Sequence, residues 1–142
     1  MKRARRRSAR DVLEDHLRLR QPGLAKVEKA ISRNFAEDVV LLTGYGVFRG
    51  HEGVRRSAHV LYGRLPCVRY RYATTLVDGE MAFLEWTARC ATARVEDGAD
   101  SFLIRDGRIV VQTIHYTVCE LQKPEQPRRR NTSFARLKPP ST

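Results

Sequence analysis

The sequence predicts an α+β domain: three N-terminal helices followed by an antiparallel sheet. Three observations carry this. Apolar residues recur at helical spacing as far as Gly63. From Cys67 the period changes to two. Turn signals then follow in quick succession, at Val77-Asp78-Gly79-Glu80, Glu96-Asp97-Gly98 and Arg105-Asp106-Gly107-Arg108. Asp-Gly suits a tight hairpin because both central positions of a type I′ turn need positive φ. The order helix, helix, short hairpin, helix, meander separates the chain from βαβ folds.

Taken in order, residues 1–7 are a basic, low-complexity arm with no apolar periodicity, which predicts disorder. Ser8 can cap a first helix, whose apolar positions are Val12, Leu13, Leu17 and Leu19. Asp11, Glu14 and Asp15 suit its positive end, and Arg18 and Arg20 its negative end. Gln21-Pro22-Gly23 breaks it. Leu24, Val27, Ile31 and Phe35 mark a second helix over about 24–34. Asp38 leads into a strand, Val39–Thr43, and Gly44-Tyr45-Gly46 turns it into a short return, Val47–Arg49. A third helix over about 51–63 places Val54, Ala58, Leu61 and Tyr62 on one side, and Gly63 and Pro66 bracket its exit. Strands are then expected at 67–77, 80–94, 99–105 and 108–120. The domain spans 8–121, and 122–142 reads as a basic disordered tail.

A chain of this length forms one domain with room for a core. The net charge of +11 sits on the two ends. Residues 1–10 carry +6 and 123–142 carry +5, whereas 11–122 hold 15 basic and 15 acidic residues. Such arms permit non-specific contact with polyanions. A nucleic-acid function would need positive charge on the domain itself, and arginine outnumbers lysine 22 to 5 along the whole chain, which points to coding bias. No apolar run is long enough to span a bilayer, so no membrane contact is expected. The basic N-terminus is not followed by the apolar stretch of a secretory signal. Cys67, Cys90 and Cys119 are far apart and lack metal-ligand spacing. They read as half-buried apolar residues in a reducing cytoplasm.

Two segments carry a resemblance. Phe35–Gly53, FAEDVVLLTGYGVFRGHEG, reads as a helix end, an apolar strand, a glycine-bracketed loop and the start of a helix. Asp100–Ile109 reads as a strand, a tight turn and a second strand. Together they resemble the nuclear-transport-factor-2-like superfamily in its SnoaL-like branch, over roughly residues 10–120. The resemblance implies a cone-shaped, curved antiparallel sheet with helices laid against it and a small-molecule pocket inside. It also implies chemistry that often needs no cofactor, so none is expected, and pairing into homodimers through the outer sheet face.

Alternation assigns the faces of the strands. The more apolar sets, Leu84/Trp86/Ala88/Cys90, Asp100/Phe102/Ile104 and Val110/Gln112/Ile114/Tyr116/Val118, are placed inside. Asp100 is the leading catalytic candidate, since an unpaired carboxylate among apolar side chains tends toward its neutral form and can serve as acid or base. Steroid isomerases of the superfamily keep an aspartic acid at the matching place, but the position of their general base is Thr43 here. His59, on the third helix, and His115, in Thr-Ile-His-Tyr-Thr, are the other catalytic candidates. His115 enters the pocket only if the strand parity is reversed. His51 reads as the start of the third helix. Tyr45 and Phe48 lie in the loop that rims the cone by resemblance, and with Tyr62, Trp86, Phe102, Gln112 and Tyr116 they make up the substrate-binding set. Tyr70 and Tyr72 alternate with Arg69 and Arg71, which predicts one aromatic and one solvated face.

No serine elbow, phosphate loop, zinc-protease motif or dinucleotide fingerprint is present. Three readings remain, the first two being a small-molecule-pocket protein acting as a cofactor-independent lyase, isomerase or cyclase, and a non-catalytic ligand-binding or dimerisation module of the same fold. A basic-armed nucleic-acid-binding protein is a third. An enclosed cavity in which Asp100, Tyr116 and a histidine converge would favour the first.

Overall fold

Ser8 starts the first helix by a reciprocal cap. Its Oγ accepts from Asp11 N at 3.1 Å, and its own N–H donates to the Asp11 carboxylate at 2.9 Å. In the computed structural model, which describes residues 6–122, this helix, α1, spans Ala9–Arg20. A 3-10 turn over Gly23–Lys26 leads into α2, Val27–Asn34, so the expected second helix is a turn joined to a shorter helix. Strand β1, Phe35–Thr43, begins directly where α2 ends, ahead of the expected start at Val39. The chain returns as β2, Gly46–Arg49, and enters α3, Gly50–Arg64. A meander follows: β3 (Arg69–Asp78), β4 (Met81–Arg89), β5 (Ala93–Arg105) and β6 (Arg108–His115), then a short β7 (Cys119–Glu120) against the start of β5.

The α+β cone is present, with a curved sheet ordered β2-β1-β6-β5-β4-β3. The sheet is mixed, which corrects the expectation that all its strands are antiparallel. β1 and β6 run parallel, with Leu41 opposite Gln112. No hairpin joins them; α3 and the meander intervene, so turn chemistry does not set their direction.

Two of the three turn signals are turns. Asp106 and Gly107 both take positive φ, at 52° and 76°, whereas at the 78–81 hairpin only Gly79 does, at 57°. Glu96-Asp97-Gly98 is no turn. β4 ends at Arg89, the chain reverses through 90–92, and 93–105 is one strand with a register shift opposite Trp86 and Ala88. Gly98 is there for a close approach: a Cβ on it would lie 2.2 Å from the Trp86 indole.

Alternation holds along β4, where Ala82, Leu84, Trp86 and Ala88 are buried, and for Asp100, Phe102 and Ile104 on β5. It fails at Val110. Ile104 pairs with Ile109 and Leu103 with Val111, so Val110 is an extra residue and Ile109 takes the buried place. Cys67 and Cys119 are exposed and Cys90 is buried, so the three cysteines are not uniformly half-buried. Arg6 and Arg7, expected in the disordered arm, are held against the domain. Arg7 donates to Asn34 Oδ1 at 2.8 Å and to the Gly107 carbonyl at 2.8 Å, and Arg6 pairs with Asp106 at 2.9 Å. The rest of the arm and nearly all of the tail lie outside the described residues.

Candidate functional site

Leu13, His16, Leu17 and Arg20 fall at i, i+3, i+4 and i+7, so α1 turns all four toward the sheet. Two of them are polar. Arg20 reaches the middle of the inner face and donates from Nη1 to Asp100 Oδ2 at 2.8 Å. Gln112 Nε2 donates to the same oxygen at 3.1 Å, and Trp86 Nε1 donates to Oδ1 at 2.9 Å. Asp100 has no exposed surface, and Arg20 retains 8%. The guanidinium lies over the Tyr70 and Trp86 rings, 4.7 and 4.6 Å from their centroids. Burial opposes its charge, but Tyr70 and Asp100 facing it more than offset this, and its pKa lies well above the ordinary value. Both oxygens of the Asp100 carboxylate therefore have donors, and a cation lies beside it.

A cavity of about 70 Å³ lies between α1, α2, α3, β1 and β6. Its walls are largely apolar, as at Leu19, Ile31, Leu41, Val54 and Ile114. The polar groups on it are His16, Arg20, Ser57, Tyr62 and Gln112. His16 is buried edge-on between Phe35 and Phe102, with centroids 5.4 and 5.6 Å away. Neither of its ring nitrogens has a hydrogen-bond partner among the described residues. Burial, and secondarily the charge on Arg20, push its pKa down to about 3, so the imidazole is neutral. The Tyr62 hydroxyl accepts from Tyr70 at 2.7 Å and lies 3.4 Å from the Arg20 carbonyl; burial raises its pKa.

Of the residues expected from sequence, Gln112 and Tyr62 line this cavity. Asp100, Trp86 and Phe102 lie beneath it in the core. Tyr116 is half-buried against Tyr45 and Trp86, and burial raises its pKa to about 12. Tyr45, Phe48 and His59 come together elsewhere, around a groove on the outer side of α3. The Tyr45 hydroxyl accepts from Arg64 at 2.8 Å. His115 points outward, 3.3 Å from Asp97. His51 lies 2.9 Å from the Phe35 carbonyl at the start of α3. The Thr43 hydroxyl is held by its own turn, donating to the Gly46 carbonyl at 3.1 Å. Sequence reasoning assigned Arg20 to the helix dipole and overlooked His16. The i, i+3, i+4, i+7 stripe through Leu13 and Leu17 was the signal for both.

A scan of protein families matches residues 25–112 to the SnoaL-like domain. The chain belongs to the SnoaL-like family. Comparison with curated proteins finds no match. Among solved structures, a Kribbella flavida protein provisionally named a ketosteroid isomerase is 16% identical, with TM-score 0.62 over 84% of each chain. A Sinorhizobium meliloti protein provisionally named a polyketide cyclase is 21% identical, with TM-score 0.55 over 72% of this chain and 97% of its own. A de novo designed protein with a curved β-sheet is 20% identical, with TM-score 0.63 over 77% and 84%. These likenesses establish the fold of this SnoaL-like domain. Among its described residues no group of three His, Cys, Asp or Glu side chains is placed to hold a metal ion, and no helix is long and apolar enough to cross a membrane.

Proposed function

We propose that this SnoaL-like domain binds a small molecule, or the end of a larger one, in the cavity under α1, without acting on it chemically. The observation that carries this is His16: a buried imidazole with two unpartnered nitrogens on the wall of an otherwise apolar cavity. Leaving such a group unsatisfied is costly, and a bound polar atom would satisfy it. Arg20, Gln112 and Tyr62 are the other polar contacts in this reading. The lyase, isomerase or cyclase reading needs an acid or base in the cavity. Asp100 is committed to three donors, Thr43 to its turn, and an imidazole that protonates only near pH 3 is a poor base at neutral pH. Those facts favour binding over turnover. Chemical-shift titration with a panel of small neutral amides, alcohols and ketones should move resonances of His16 and Gln112. A His16→Phe variant that folds should lose that response, and a response unchanged in the variant would refute the assignment.

A homodimer through the outer sheet face belongs to the same proposal. Val47, Leu42, Thr113, Ser101, Phe83 and Leu76 form one cross-strand row on that face. Leu42, Val47, Leu76 and the neighbouring Met81 are 46–60% exposed. A cytoplasmic location suits the three free cysteines. Non-specific polyanion contact by the charged ends remains part of the proposal, and a neutral central segment argues against a nucleic-acid-binding function.

A further inference from the structure

The cavity holds a charged residue and yet is electrically neutral. Among the described residues Arg20 is the one cation on its wall, and its charge is already met by Asp100 at 2.8 Å. Asp100 lies directly behind it, fully buried. The other polar wall groups, His16, Ser57, Tyr62 and Gln112, are uncharged at neutral pH. A carboxylate entering here would be a second buried anion competing for one guanidinium, next to the first. A neutral ligand meets no such penalty. It can accept from the guanidinium nitrogens, since among the described residues only Nη1 makes a hydrogen bond, and it can donate to or accept from His16. Size narrows the class further. About 70 Å³ is roughly half of the ~150 Å³ cavity that takes up benzene. The buried part of the ligand is therefore smaller than an aromatic ring.

Resting on the binding reading above, we propose that the ligand's buried part is an uncharged, short-chain group bearing an amide, carbonyl or hydroxyl, and that the Arg20–Asp100 pair excludes carboxylates. The recognition logic is a neutralised cation: Arg20 offers hydrogen bonds and aromatic-clamped rigidity without a net attraction for anions.

Acetamide and acetate test this, being smaller than an aromatic ring, equal in heavy-atom count and shape, and different in charge. Each is titrated into the full chain at pH 7.5, with binding read from the resonances of His16, Arg20 and Gln112. Acetamide is expected to bind at least about tenfold more tightly than acetate. In Asp100→Asn the guanidinium loses its counter-charge, and the preference should reverse by a similar factor. Equal or tighter binding of acetate to the unaltered chain would overturn the charge selection and leave the pocket standing. If neither compound moves His16 or Gln112, the pocket reading falls and takes this inference with it. Should Asp100→Asn fail to fold, the comparison in the unaltered chain decides alone.

Discussion

A histidine enclosed by two phenylalanine rings gains a proton only by carrying charge into a medium that solvates it poorly. For His16 that holds the folded-state pKa near 3, against about 6.5 in an unfolded chain. Below pH 6.5 the unfolded chain therefore takes up a proton that the folded chain refuses. Stability is complete above that pH and falls as pH drops toward 3. At pH 5 the loss from this one group is about 2 kcal/mol. Urea unfolding at pH 7.5 and pH 5 should show it, and His16→Phe should remove most of it. Asp15 does not confuse the comparison. Burial opposes its charge, but hydrogen bonds from Asn34 and Arg18 and the charge on Arg33 lower its pKa, so its contribution is lost only at still more acid pH.

Arg20 and Asp100 make a second residue-scale case. Removing one partner strands a buried charge, so Arg20→Met should cost about 3–5 kcal/mol. Adding Asp100→Leu should restore part of that loss, because the stranded charge is gone; a double-mutant cycle in urea checks the sign. Asp100 was legible in the sequence as a buried residue, since alternation with Phe102 put it inside. Its partner was not, because the pair is 80 positions apart and no periodicity links α1 to β5.

Among the elements, the helices and hairpins were the most legible. Ser8, Pro22 and the Asp-Gly pairs act locally, and the chain obeys them at α1 and at both the 78–81 and 105–108 hairpins. Glu96-Asp97-Gly98 has the same composition and does something else. Its glycine gives the Trp86 ring room, and Asp97 turns out to accept from Thr117 N at 2.8 Å. The signal was sound, but a tertiary contact determined its use. Gly98→Ala should accordingly destabilise by about 2–3 kcal/mol, since the obstacle is a buried indole and a backbone carbonyl, neither able to move aside. A loss under 0.5 kcal/mol by urea unfolding would contradict the packing described. The N-terminal segment gives an element-scale test as well. Arg7 ties the start of α1 to the end of α2 and the β5–β6 turn. Deleting residues 1–5 should leave the unfolding midpoint unchanged, whereas deleting 1–7 should lower it by several degrees, on a loss of about 1–2 kcal/mol.

At the scale of the whole molecule, helices cover one face of a single sheet, leaving the other to solvent or to a partner. The class of fold followed from period and turn chemistry. The parallel β1–β6 pair did not, because it joins distant parts of the chain. The open face carries Leu42, Val47, Leu76 and Met81, so the chain should sediment as a dimer at micromolar concentration, and Leu42→Lys with Leu76→Lys should shift it to monomer. The covered face carries the cavity, and the central claim is that this cavity is a ligand site built on His16 and Arg20. The ring nitrogen resonances of ¹⁵N-labelled histidine test it most directly, because His51, His59 and His115 lie outside the cavity and serve as controls. On titration with acetamide, the His16 signals should start in the neutral form at pH 6 and move saturably, with the other three unmoved. His16 signals that show the protonated form at pH 6, or that stay fixed at saturating ligand, would contradict the account.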